Sequence, residues 1–457
     1  MPGYRIINLQ SQRFLNIFYI TLFITLIRGS KIHTILKIAI YKLIFLITLT
    51  ASVEAGEKEK SRNKYSFGLL PALSFSSDKG FGYGIIFQVD DKRAEKFKPY
   101  YSSHRFVVQR STKGIADYSY RFDSKYFLPN QMRITLKSKY RSSILEPFHG
   151  IGGAQTNYSA SYEDSSDTES YRGKFYYKYD KRNYRIDAIL QGSLIENKFR
   201  WLGGITFQST AVDTINYRDF DKELLDLPQQ TLLAKLVGVR FIDAETFNGG
   251  SEHGIIAGLI WDSRDNESTT LKGIWSELLL RWVPGTLGNN FSYVALTGTH
   301  RQYFSMNSKL TFAYRFVGRL MSEGAPFFSI SQQDGSFEVG EGLGSSKTIR
   351  GILYQRIIGK NIAYANFELR YKIRNLFSDG FVATLLFHDR GRSFESTPLL
   401  PDSDQGKESD TIHGSFGTGI RIALNSTFIT RLDIGKALVP SVDGKGIKIY
   451  IGLDWLF

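Results

Sequence analysis

The chain of 457 residues contains no cysteine. That excludes disulfide bridges, thiolate metal sites and any lipid anchor built on a cysteine. Long apolar runs are scarce as well. Residues 14–27 and 35–50 are the two candidates, and Lys37 and Lys42 interrupt the second. Neither reaches the roughly 18–20 clean apolar residues of a spanning helix. The seven histidines are scattered without the spacing of metal ligands. No basic helix or nucleic-acid motif accompanies the formal net charge of +14, so nucleic acid is set aside as a partner.

What is present is glycine and aromatic side chains. There are 42 Gly, and 14% of residues are aromatic. Hydrophobic content is an ordinary 42%, cut into short alternating runs. A membrane β-barrel has this profile, because every second residue of a strand faces the lumen. Composition alone leaves a soluble all-β protein equally open. In a barrel, the positive charge would place basic loops and lumen beside anionic lipid.

Strand-like segments are 65–76, 80–90, 99–110, 115–127, 131–141, 170–180, 183–192, 198–210, 252–262, 273–283, 291–304, 307–319, 361–373, 380–389, 411–424, 427–437 and 446–457. Ser77, Asp78 and Lys79, with Gly80 after them, read as the first hairpin turn. These segments make an odd number, and a barrel with both termini on one side needs an even one. The surplus lies within 65–210. The last segment alternates best, with Ile447, Ile449, Ile451, Leu453, Trp455 and Phe457 on one face and Lys448, Tyr450 and Asp454 on the other. Trp455 and Phe457 suit an interfacial aromatic girdle.

Residues 1–55 read as a targeting segment. Lys42, the apolar stretch 43–51 and the small residues before Gly56 give an n-region, an h-region and a cleavage site after Ala55. An uncleaved signal anchor is the alternative. Residues 56–457 are then the barrel domain, leaving no room for a soluble domain ahead of it.

Three long connections matter to the reading, since loops beyond about 12–15 residues are usually functional or disordered. Residues 142–169 and 211–251 read as surface-exposed, the second with a short helix within 219–236 carrying Leu224, Leu225, Leu232, Leu233 and Leu236. The third, 320–360, carries a motif. Its Gly-rich part holds the triplet Ile349-Arg350-Gly351, followed by Ile352. Segment 361–373 places Ala363, Ala365, Phe367, Leu369, Tyr371 and Ile373 on one face, and Tyr364, Asn366, Glu368, Arg370 and Lys372 on the other. Segment 380–389 puts Phe387 and Asp389 on one face and His388 on the other. A phosphate-loop reading of 340–351 fails for want of Gly-Lys-Ser/Thr opening a helix. A hydrolase built on His388 fails because His388 faces away from Asp389 and no nucleophile elbow is present. The chain therefore does not read as an enzyme, and no cofactor is implied.

Taken together, Ile349-Arg350-Gly351, Glu368 and Phe387-His388-Asp389-Arg390-Gly391 resemble the loop-and-strand core of the BamA/TamA-type outer-membrane assembly barrels, the bacterial surface antigen superfamily. The departure is Ile352, where the family usually carries Phe or Tyr. The resemblance implies an all-β transmembrane antiparallel barrel of about sixteen strands, with loop 320–360 folded inside. It implies that Arg350 meets Asp389 and Phe387 on the thirteenth strand and Glu368 on the twelfth, and that Gly351 lets the loop tip turn. The segment 262–273 resembles a recurring turn of the family at the periplasmic end. Trp455 and Phe457 resemble the C-terminal sorting signal of outer-membrane barrels. A bacterial outer membrane and its lipid are thus the expected setting, with client membrane proteins or periplasmic factors as further partners.

The implied activity is insertion or translocation of polypeptide or lipid, through a weak seam between first and last strands and a movable internal loop. A diffusion pore or a surface-exposed binding protein on the same barrel is the alternative, and an outer-membrane lipase a third. A water-lined lumen would screen the Arg350–Asp389 pair and hold its net value nearer ~1 than 5 kcal/mol.

Overall fold

The computed structural model describes residues 65–457 apart from 94–99, 130–131, 153–157, 196–197, 216–229, 240–241, 268, 377–379, 395–411, 424–428 and 454. The expected targeting segment and its cleavage point lie outside the described residues. One antiparallel sheet closes on itself as a barrel of sixteen strands. In chain order they are β1 (Tyr65–Pro71 and Ser74–Ser76), β2 (Gly80–Asp91), β3 (Ser102–Ser111), β4 (Ile115–Ser124), β5 (Arg133–Pro147), β6 (Lys178–Ile195), β7 (Phe199–Asp213) and β8 (Gly249–Ser251 and Gly254–Asp262). The second half comprises β9 (Gly273–Val283), β10 (Tyr293–Ser305), β11 (Leu310–Met321), β12 (Ile362–Leu376), β13 (Gly380–Ser393), β14 (His413–Ala423), β15 (Ile429–Ala437) and β16 (Ile447–Leu453).

The barrel is apolar outside and polar within. On β9, Leu278, Leu280 and Trp282 are exposed while Glu277 and Arg281 are buried. On β12, Tyr364, Asn366, Glu368 and Arg370 point inward and Leu369 and Tyr371 outward. In water such a belt of exposed large side chains would drive association. Facing hydrocarbon, it is the side that should be apolar.

The surplus segment is 170–180. Its first part is no strand, and from Lys178 the chain runs unbroken through β6 to Ile195. Tyr171, Phe175, Tyr176 and Tyr177 are all buried, the last three consecutively, so they pack among the connections and do not pair as a strand. The chain turns at Gly173, where the Tyr176 N–H donates to the Gly173 carbonyl at 3.0 Å.

The long connections all leave one end of the barrel, and they are not loosely exposed. Phe148, Tyr176, Tyr177, Tyr179, Leu232, Leu233, Leu236, Phe327, Phe328 and Ile358 form a common buried cluster across three connections and the strand ends beneath them. The expected helix survives as α1 (Leu232–Gly238), whose first turn is capped by the Thr231 hydroxyl accepting from the Ala234 N–H at 3.2 Å. Leu224 and Leu225 lie outside the described residues. At the other end the connections are short, and the Asp262–Gly273 turn falls there as expected. Arg264 forks onto Asp262 with two bonds of 2.9 Å.

Closure is uneven. Fifteen residue pairs join β6 to β7 and seven join β15 to β16, but β16 meets β1 through two, Tyr450–Ser76 and Ile451–Phe75. The Ser77 N–H adds a bond to the Ile449 carbonyl at 3.1 Å. Along residues 66–71, β1 pairs with β2 on one side and with no described strand on the other.

The C-terminal residues depart from expectation. The described part of β16 ends at Leu453, and Phe457 turns into the lumen, 8% exposed. Its carbonyl accepts from Arg370 Nη2 at 3.0 Å, and its ring lies about 5 Å from the guanidinium groups of both Arg315 and Arg370. Trp455 sits beneath Arg370, 4.2 Å from ring centre to guanidinium. Lumenal arginines offer these rings a cation–π partner that the lipid interface lacks. Neither residue continues the outward face of β16.

Candidate functional site: a buried arginine cluster in the lumen

The connection between β11 and β12 runs down inside the barrel. Cations on the wall hold its carbonyls. Lys181 donates to Phe328 at 2.6 Å, Lys137 to Ser336 at 3.0 Å and Arg315 to Lys347 at 2.6 Å. Arg319 spans both feet of the loop, bonding the carbonyls of Ile330 and Gln332 on one side and Gly359 and Lys360 on the other. Carboxylates on the wall take its donors: Glu252 accepts from the Ser329 hydroxyl at 2.6 Å and Glu277 from the Ser336 N–H at 3.1 Å. Asp334 of the loop pairs with Arg185 at 2.9 Å, and Glu341 with Lys79 at 2.6 Å. Burial alone would raise the Glu341 carboxyl, but Lys79 and Arg141 outweigh it and hold its pKa at about 2.

At the tip the loop delivers Arg350. Its Nε and Nη2 fork onto the two oxygens of Asp389, both at 2.9 Å, and its backbone N–H donates to the same carboxylate at 3.0 Å. Nη1 donates to Glu368 at 2.7 Å and lies 3.6 Å from Asp433. The guanidinium stacks on Phe387 at 3.6 Å from the ring centre. Asp389 and Glu368 share the lumenal face because each occupies the inward parity of its strand, and the pairing Asn366–Asp389 sets β12 and β13 in register. Glu368 takes a second cation, Arg370, at 2.8 Å, and Asp433 takes Arg421 at 2.6 Å. Arg431 lies 4.0 Å from Asp433, so four arginines face three carboxylates. Burial disfavours the charge on Arg350, but Asp389, Glu368 and Asp433 reverse that and raise its pKa.

Gly351 follows with φ +87°. A Cβ there would stand 2.7 Å from the Lys436 nitrogen and 2.9 Å from the Gly435 carbonyl carbon. Neighbour Gly435 is bare for the same reason, since its own Cβ would meet the Gly351 backbone and the Phe387 ring at 3.1 Å. Loop backbone therefore lies directly on β15. The Gly351 N–H donates to the Tyr450 hydroxyl of β16 at 3.0 Å, so the tip touches the strand that forms the seam. Ile352, in the place of the family's aromatic residue, is fully buried with Val317, Leu343, Ile349, Ile357 and Tyr364.

The five residues named from sequence, Arg350, Gly351, Glu368, Phe387 and Asp389, all meet here. Trp455 and Phe457 stand apart from them, linked through Arg370. His388 shares the outer face with its cross-strand neighbours Phe367 and Phe416, away from Asp389. Sequence reasoning missed Asp433, Arg421, Arg370, Gly435 and Tyr450. Their signal was available in part: Arg421 alternates with Ile420 and Ile422, and Asp433 with Leu432 and Ile434, each on the polar parity of its strand. One energetic expectation changes. Arg350, Glu368 and Asp389 are all 0% exposed, so water does not screen the pair, and breaking it belongs to the buried regime of roughly 3–5 kcal/mol.

Comparison with known proteins bears on the family and the fold. A family model described as the Omp85 superfamily domain matches residues 105–455. Among solved structures, the barrel is similar to BamA from Haemophilus ducreyi lacking POTRA domains 1-3, at 13% identity and a TM-score of 0.54, covering 87% of this chain and 71% of that one. It is also similar to CdiB from Escherichia coli, at 10% identity and a TM-score of 0.51, covering 85% of this chain and 63% of that one. At such identities the likeness is one of fold. No curated protein matches the chain. The family match spans most of the sequence and the barrel is the family's, so this chain belongs to the Omp85 superfamily and is an integral protein of the Gram-negative outer membrane.

Proposed function

We propose that this barrel inserts or translocates polypeptide at the outer membrane, opening between β1 and β16 under control of the internal loop. The observation that carries the reading is the seam, joined by two residue pairs and leaving residues 66–71 with no strand along their other edge among the described residues. An unpaired strand edge recruits a strand from another chain, since its free N–H and C=O groups gain bonds by pairing. A client strand would add to β1, with client membrane proteins or periplasmic factors as the partners. Arg350 and Gly351 would act as a latch, because the same loop tip holds β13 through Asp389 and β16 through Tyr450. Release of the tip would free β16 to separate from β1.

The test is reconstitution of the purified chain in liposomes with an unfolded client barrel. Faster client folding than in empty liposomes supports the proposal. Ion conductance with no effect on folding would replace it with a diffusion pore, and release of fatty acid with a lipase.

A further inference from the structure

Between the loop and the short-turn end lies a cavity of about 350 Å³. One row of directly paired residues crosses its wall on the lumenal face, running Trp275 on β9, Arg301 on β10, Arg315 on β11 and Asn366 on β12. Two arginines directly opposite each other on one sheet face repel, and such a pair is unfavourable unless an anion joins it. Other cations on the wall have carboxylate partners: Arg264 has Asp262, Arg370 has Glu368, and Lys347 has Glu338. Arg301 and Arg315 make no ion pair among the described residues. Arg315 is bonded to Asn366 and the Lys347 carbonyl, and Arg301 stacks on Trp275 at 4.4 Å.

Three polar atoms of residues lining the cavity are unsatisfied. Arg301 Nε, Trp275 Nε1 and Thr297 Oγ1 are buried with no hydrogen-bond partner among the described residues. Trp275 is 0% exposed and Thr297 1%. Two of the three are obligatory donors and the third can donate. Leaving such groups unpaired in a buried place costs ~1–3 kcal/mol each. Of the acids lining the cavity, Asp334 is paired with Arg185 and Glu338 with Lys347, and Glu277 accepts from the Ser336 N–H and acts on Arg301 electrostatically without an ion pair. Glu267 stands on the exposed rim.

We propose that this cavity is a binding site for an oxyanion, a carboxylate or a phosphate, held by Arg301 and Arg315 and by the donors of Trp275 and Thr297. The guanidinium forks suit either group. The site adjoins the latch, since Arg315 holds the Lys347 carbonyl three residues before Arg350. An oxyanion bound here would therefore act on the segment that carries the latch.

The experiment uses the full chain in detergent micelles. Sodium phosphate and sodium acetate are titrated separately against sodium chloride at equal ionic strength. Tryptophan fluorescence is read for both, and the phosphorus resonance linewidth for phosphate. We expect a saturable response to at least one oxyanion that chloride does not reproduce. Response to phosphate alone assigns a phosphoryl group, and response to acetate alone a carboxylate. Arg301→Gln should raise the apparent Kd at least tenfold, and Thr297→Val by a smaller factor. Trp275→Phe should remove most of the fluorescence change. Compact migration of the unboiled variant on a denaturing gel shows that its barrel is intact. Should Arg301→Gln fail to form a barrel, Thr297→Val decides alone. The proposal is overturned if neither oxyanion differs from chloride, or if the Kd is unchanged in the folded variant.

Discussion

Consider Arg350→Ala. The substitution removes a bidentate bond to Asp389, one bond to Glu368 and the stack on Phe387. It leaves three fully buried carboxylates facing three arginines, Arg370, Arg421 and, 4.0 Å from Asp433, Arg431. Breaking a buried pair from one side costs roughly 3–5 kcal/mol, because the remaining charge stays desolvated. At 1.4 kcal/mol per factor of ten, the equilibrium for opening the loop tip rises by a factor of about 10² to 4 × 10³. The feet of the loop stay held by Arg319, so opening is confined to the tip. The barrel itself should still form. Limited proteolysis of loop residues 342–358 in detergent reads this directly, since cleavage follows the open population when reclosing is fast. Asp389→Ala should behave alike. The double variant should open less than the summed single effects, because once one partner is gone the other has nothing more to lose. Arg350→Lys should recover only part of the protection, since an ammonium cannot form the planar fork. Equal cleavage of Arg350→Ala and the parent would refute the buried-pair argument, and strictly additive effects would show that the two residues do not act on each other.

Gly351→Ala should release the tip about as strongly as Arg350→Ala, because its Cβ would collide with the β15 backbone and its φ is +87°; the same proteolysis checks it. The absence of native cysteine allows a clean seam lock: Phe75→Cys with Ile451→Cys, a directly opposed pair, should abolish client folding when oxidised and restore it when reduced. A reduced double variant that stays inactive, or an oxidised one that stays active, would count against opening at this seam. The Glu341–Lys79 contact gives a pH dependence. The Glu341 pKa is held at about 2, below its ordinary value of about 4.3, so the contribution is complete above that ordinary value and is lost as pH falls toward 2. Protection of the loop near residue 341 should hold at pH 5 and fall between roughly pH 4 and 2 in a pepsin digest, and Glu341→Gln should flatten that profile.

Local alternation determined much of this protein before any tertiary contact was known. A period of two put Phe387 and Asp389 on one face and Glu368 on the polar face of its strand, because side chains of one strand alternate between its two sides. The order Arg350, Glu368, Asp389 was legible as a site only through the resemblance of its motifs to a known family, and the even-strand requirement marked the first half of the chain as holding one segment too many. Periodicity could not tell that residues 171–177 pack among the connections, since a run rich in aromatic side chains reads as a strand. Nor could it bring Asp433 and Arg421 to Arg350, or Tyr450 to Gly351, because those meetings depend on closing the barrel around the loop. Tertiary structure alone decided that the cluster is fully buried, that Phe457 lies beside Arg315 and Arg370, and that Arg301 and Arg315 stand together without an ion pair among the described residues. Each of these is set by what faces a side chain across the lumen, and neighbours across a lumen are far apart in sequence.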